Sequence, residues 1–66
     1  MNIFINGQPE DAPDALPLSE LLQRLELADK RIAVEINEEL VPRSEHGARI
    51  LQPDDRVEIV QAIGGG

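Results

Sequence analysis

Apolar and polar residues alternate from the first position. In Met1-Asn2-Ile3-Phe4-Ile5, Met1, Ile3 and Ile5 fall on one face of a strand and Asn2 and Phe4 on the other. Asn6-Gly7 follows, the preferred dipeptide of a two-residue type I′ hairpin turn. From Gln8 the chain is expected to return antiparallel. Pro9 has no N–H for a ladder and Pro13 soon follows, which makes this return a short edge strand. The period then changes. Leu18, Leu21, Leu22 and Leu25 stand at i, i+3, i+4 and i+7, one stripe of a helix that Pro17 opens and that fades near Ala28-Asp29. Glu20 and Arg24 form an i,i+4 pair on its outer side. A helix of about ten residues does not stand alone in water, so its leucines must dock on a sheet.

Alternation returns in Ile32-Ala33-Val34-Glu35-Ile36, with Ile32, Val34 and Ile36 on one face. Asn37-Glu38-Glu39 turns the chain, and Leu40-Val41 is a stub strand that Pro42 ends. Residues 43–52 show no clean period and are expected to cross over irregularly, with a helical turn near Ser44 to Gly47. Pro53-Asp54-Asp55 is a turn, and Arg56 to Ile63 alternates as a final strand with Val57 and Ile59 inward. One helix covers only one face of a sheet, so the class is α+β. The long last connection lets the final strand lie parallel to the first in the sheet centre. This is the β-grasp, ubiquitin-like topology: a mixed sheet of four to five strands with one main helix on one face. Residues 1–63 are expected to form that domain, and 64–66 a flexible glycine tail.

Composition narrows the setting. At 66 residues and without cysteine, the chain has no disulfide to supplement a small core, and stability must come from apolar packing, which a 41% hydrophobic content allows. The opening lacks the basic start and apolar run of a signal peptide, and no apolar stretch approaches the roughly 20 residues of a membrane span. A cytoplasmic protein is expected. Thirteen acidic against six basic residues leave a net charge of −7, which argues against nucleic acid and anionic membranes as partners. That charge either steers the chain toward a basic protein surface or simply keeps it soluble.

Catalytic apparatus is scarce. His46, the sole histidine, lies among polar residues and reads as a solvated loop side chain rather than a general base. Ser19 and Ser44 have no neighbour in sequence that would activate them. Glu35, Glu38, Glu39 and Glu45 lack the spacing and glycine of a calcium loop and read as a solvated face. No enzyme activity and no bound cofactor or metal are expected. Gly64-Gly65-Gly66 is different because it follows a strand at the end of the sequence. It is either an inert end or a thread without side chains that carries a carboxylate. From Ile63 the four-residue segment extends at most about 13–14 Å beyond the folded body and enters channels that a Cβ would block. A carboxylate resists nucleophiles until ATP converts it to an acyl-adenylate, whereupon a sulfur nucleophile on a partner can attack.

The chain resembles the ThiS sulfur-carrier family of thiazole (thiamine) biosynthesis over nearly its whole length. The resemblance lies in Ile3-Phe4-Ile5-Asn6, Leu18-Ser19-Glu20-Leu21-Leu22, Ala33-Val34-Glu35-Ile36-Asn37, Leu40-Val41-Pro42-Arg43, Asp54-Asp55-Arg56-Val57-Glu58-Ile59 and Gly65-Gly66. It implies that a ThiF-type adenylating enzyme uses ATP on the Gly66 carboxylate, and that a cysteine desulfurase or rhodanese-like donor converts it to a thiocarboxylate. Thiazole synthase (ThiG) then receives the sulfur. Alternatives are a MoaD-like carrier for molybdopterin, whose family is longer and richer in aromatics, and a ubiquitin-like protein modifier. The pleat puts Phe4 on the open sheet face, with Val60 and Ala62 emerging beside it and Ile63 completing a patch at the tail root. Such residues either dock partners or are ordinary surface apolars. Arg43 is equally open, a partner contact or a surface pair. The free protein is expected to be a monomer.

Overall fold

The computed structural model describes residues 1–61. The elements run β1 (Asn2–Ile5), β2 (Gln8–Asp11), α1 (Leu18–Arg24), β3 (Ile32–Ile36), β4 (Glu39–Val41), a 3₁₀ turn (Arg43–Glu45) and β5 (Arg56–Gln61). They form one five-stranded sheet in the order β2-β1-β5-β3-β4. β5 is parallel to β1, with Phe4 opposite Arg56, and antiparallel to β3 from Ile32–Gln61 to Ile36–Val57. The last strand is thus central, and the proline-bearing β2 is an edge.

Both hairpins rest on backbone that turns left-handed. Asn6 (φ 50°) and Gly7 (φ 83°) join β1 to β2, while Asn37 (φ 53°) and Glu38 (φ 70°) join β3 to β4. Positive φ at both loop positions is the type I′ signature, whose twist matches that of the flanking strands. The Asn6 side chain does further work: its Oδ1 accepts the Ile59 N–H at 2.8 Å, where β1 has run out of backbone to pair.

The core lies between the sheet and the helix. Ile3, Val34, Ile36 and Val57 from the strands meet Leu18, Leu21 and Leu22 from α1, with Ala12, Leu16 and Leu51 sealing the sides from loops. Each leucine so buried contributes about 1.5–3 kcal/mol. The helix is shorter than the leucine stripe predicts. Glu26 takes φ 60°, its N–H donates to the Gln23 carbonyl, and the Leu27 N–H donates to that of Leu22 at 2.8 Å. This is a Schellman stop built without glycine, and it leaves Leu25 outside the core, 38% exposed.

The crossover has more order than its sequence suggests. Leu18 N–H donates to the Arg49 carbonyl and Leu51 N–H to that of Leu16, strapping residues 49–51 to the chain entering α1. Asp55, just before β5, is a buried carboxylate, and the structure answers it fully. Asn37 Nδ2 donates to Oδ1 at 3.0 Å, the Gln52 N–H donates to Oδ2 at 2.8 Å, and the Arg49 guanidinium lies 3.7 Å away.

Candidate docking face and tail root

The helix covers one sheet face and leaves the other open. Strand alternation and register place Phe4, Arg56, Glu58, Val60, Ala33, Glu35 and Leu40 on that open face. Phe4 is half-buried and lines a shallow hollow of about 340 Å³ with Gly7, Arg56 and Glu58. Val60 is 67% exposed and stands opposite Ala33.

The two apolar residues share the face but are not neighbours. Phe4 is in register with Arg56, and Val60 is four residues further along β5, about 13 Å at the usual rise of a strand. Arg56 and Glu58 separate them, so the face holds two apolar patches rather than the single one expected. Leu40, 66% exposed, is a third apolar residue on the face and was not legible as such. Its position follows from the two-residue Asn37-Glu38 turn, which puts Val41 inward opposite Val34 and Leu40 outward opposite Glu35. Across the middle of the face, Glu35 is directly opposite Glu58.

β5 brings the chain to Gln61 at the end of the sheet where β3 begins, with Ile32 opposite. Ala62, Ile63, Gly64, Gly65 and Gly66, the rest of the expected patch and tail, lie outside the described residues. Beside this tail root Arg31, Ile32, Ala33, Arg43 and Val60 line an open hollow of about 420 Å³. Arg43 Nη2 donates to the Lys30 carbonyl at 2.9 Å, which ties the segment before β3 to the end of β4.

His46 corrects its expectation. It is buried, only 8% exposed, and its ring lies with Nε2 3.1 Å from the Val41 carbonyl. A carbonyl only accepts, so Nε2 carries the hydrogen. Its own carbonyl accepts the Ser19 N–H at the start of α1. The histidine is a packing residue that joins the 3₁₀ turn to β4 and the helix, a role hidden because its sequence neighbours are polar and its true neighbours are not local. Among the described residues no group of three or more His, Cys, Asp or Glu is placed to hold a metal ion, and no helix is long and apolar enough to cross a membrane.

A five-stranded mixed sheet with β5 at its centre, parallel to β1, and one helix behind it defines a β-grasp protein of the ubiquitin-like class. Residues 3–66 match the model of the ThiS family. The whole chain is 32% identical to the whole sulfur carrier protein ThiS of Escherichia coli. It is also similar to a crystal structure of the thiamine biosynthesis protein ThiS from Geobacter metallireducens, with a TM-score of 0.86 and 33% identity over all of both chains. The chain belongs to the ThiS family. A thiazole synthase of Magnetococcus marinus contains a stretch 44% identical to the full chain, which spans 20% of that protein's length.

Proposed function

We propose that this chain is a sulfur carrier of thiamine biosynthesis that works through the Gly66 carboxylate and performs no catalysis of its own. The observation that carries the reading is the place of β5: the last described residue, Gln61, ends a strand held on both sides, and five residues up to Gly66 follow. Those five span about 16–18 Å when extended, enough for a buried active site on another protein. Gly64, Gly65 and Gly66 present no side chain to such a channel.

The chemistry follows from the carboxylate. One of its oxygens attacks the α-phosphorus of ATP on a ThiF-type adenylating enzyme, and pyrophosphate leaves. A persulfide, charged by a cysteine desulfurase or rhodanese-like donor, attacks the acyl carbon and AMP leaves. A thiol then attacks the donor's own sulfur in the resulting acyl disulfide and breaks its S–S bond, which releases the thiocarboxylate and leaves a disulfide. Thiazole synthase takes the sulfur, a partnership supported by the Magnetococcus marinus relative. Phe4, Val60, Ala62 and Ile63 serve as partner contacts in this reading. The carrier works in the cytoplasm, where the ATP is and where a protein without cysteine needs no oxidising compartment.

Deleting Gly66, or adding one residue after it, is expected to abolish thiocarboxylate formation and to leave the melting temperature unchanged. Intact-mass measurement after incubation with the adenylating enzyme, ATP and a sulfur donor checks this. Sulfur in either variant, or adducts of the parent chain to other proteins instead of sulfur, would reject the carrier reading.

A further inference from the structure

The hollow at the tail root answers the question that the sequence left open about Arg43. If a partner's active site takes in the five residues after Gln61, the wall around its entrance must lie against whatever surrounds Gln61. On the open face that surround is the hollow lined by Arg31, Ile32, Ala33, Arg43 and Val60. Ile32 is opposite Gln61 and Ala33 opposite Val60, so its floor is the last part of the sheet before the tail.

Its charge runs against that of the molecule. The net charge is −7, yet three of the six cationic residues, Lys30, Arg31 and Arg43, gather at this end. Two residues further in, about 7 Å along the strands, Glu35 faces Glu58. The sign therefore alternates along the face, with Arg31 and Arg43 at the tail root, Glu35 and Glu58 behind them, and the single Arg56 beyond. Arg43 spends one N–H of its guanidinium on the Lys30 carbonyl, a bond that positions the fork without neutralising it.

We propose that this hollow is a docking notch for an acidic rim around the partner's active-site entrance, Arg31 and Arg43 receiving a carboxylate while Ala33 and Val60 take the apolar residue beside it. The proposal rests on the carrier reading above and adds the chemistry and polarity of the surface that reads the tail root. A partner surface that is acidic at its entrance and basic one step back meets two arginines and then two glutamates at the tail root, but only the single Arg56 at the far end of the face. The notch thereby aims the tail before it is threaded.

The experiment measures ATP–pyrophosphate exchange by the adenylating enzyme as the concentration of the full chain is varied, at low and physiological salt, with a thermal melt of each variant. Arg31→Glu with Arg43→Glu is expected to raise KM at least about tenfold, with kcat unchanged and a flatter salt dependence. Arg43→Lys separates charge from structure. It is expected to keep a near-parental KM even where loss of the Lys30 hydrogen bond lowers its melting temperature. A KM that follows the melting temperature rather than the charge would overturn the notch, as would an unchanged KM. A KM that falls would identify the chain's own tail as the occupant and also overturn it. If the parent chain itself supports no exchange, the carrier reading fails and the notch with it; if the parent is active and the variants equal it, only the notch fails.

Discussion

The polar residues that matter most to this fold are those that finish someone else's hydrogen bonds. Asp55 accepts from Asn37 Nδ2 and from the Gln52 N–H while Asn37 Oδ1 accepts the Arg56 N–H, so two side chains pin the β3–β4 turn to the start of β5. Asp55→Ala strands those donors in a buried place and is expected to cost about 2–3 kcal/mol, read as a lower denaturant midpoint at constant slope. The opposite sign is expected at the open face. Glu35 and Glu58 are directly opposed across the β3–β5 ladder, so Glu58→Gln should raise stability by about 0.5 kcal/mol, measured in the same titration. A chain that keeps such a pair at the middle of its exposed face gives up stability there. The sequence displayed Pro53-Asp54-Asp55 as a turn, but no local pattern told the buried aspartate from the exposed one, because its side-chain partner Asn37 is 18 positions away.

At the level of elements, periodicity was a good guide and termination was not. The strand at Asn2–Ile5, the Asn6-Gly7 turn, the proline-bearing edge and the strand at Ile32–Ile36 all stand where alternation and turn chemistry put them. The helix began after Pro17 as its leucines required, with Glu20 and Arg24 4.0 Å apart on the outside. It stopped early because a glutamate occupies the left-handed position that glycine usually marks, so the customary signal was absent. Glu26→Gly should relieve that strain and stabilise the protein by about 1 kcal/mol, a rise in melting temperature of several degrees. Residues 49–51 were illegible for a related reason: their order comes from two hydrogen bonds to residues 16 and 18, not from any repeat of their own.

For the molecule as a whole, the sequence disclosed the class of fold, while the arrangement of the open face awaited the register. Phe4 and Val60 had been expected side by side, and only the pairing of Phe4 with Arg56 shows them to be separate points of contact. Phe4→Asp is therefore expected to weaken binding to the adenylating enzyme at least about fivefold, since a carboxylate replaces an apolar contact, while the melting temperature holds because the ring is outside the core cluster. Calorimetric titration checks the first and a thermal melt the second. An unchanged affinity would confine docking to the tail-root end of the face.

The central place of β5 has a mechanical corollary. A partner that grips the tail and then withdraws pulls along the axis of a strand laced to β1 on one flank and β3 on the other. That load is borne in shear by the long β3 ladder up to Gln61, with β1 holding the far end at Arg56 and Val57, whereas a strand pulled sideways would peel one bond at a time. A pull on whatever follows Gln61 is thus expected to leave the globule intact.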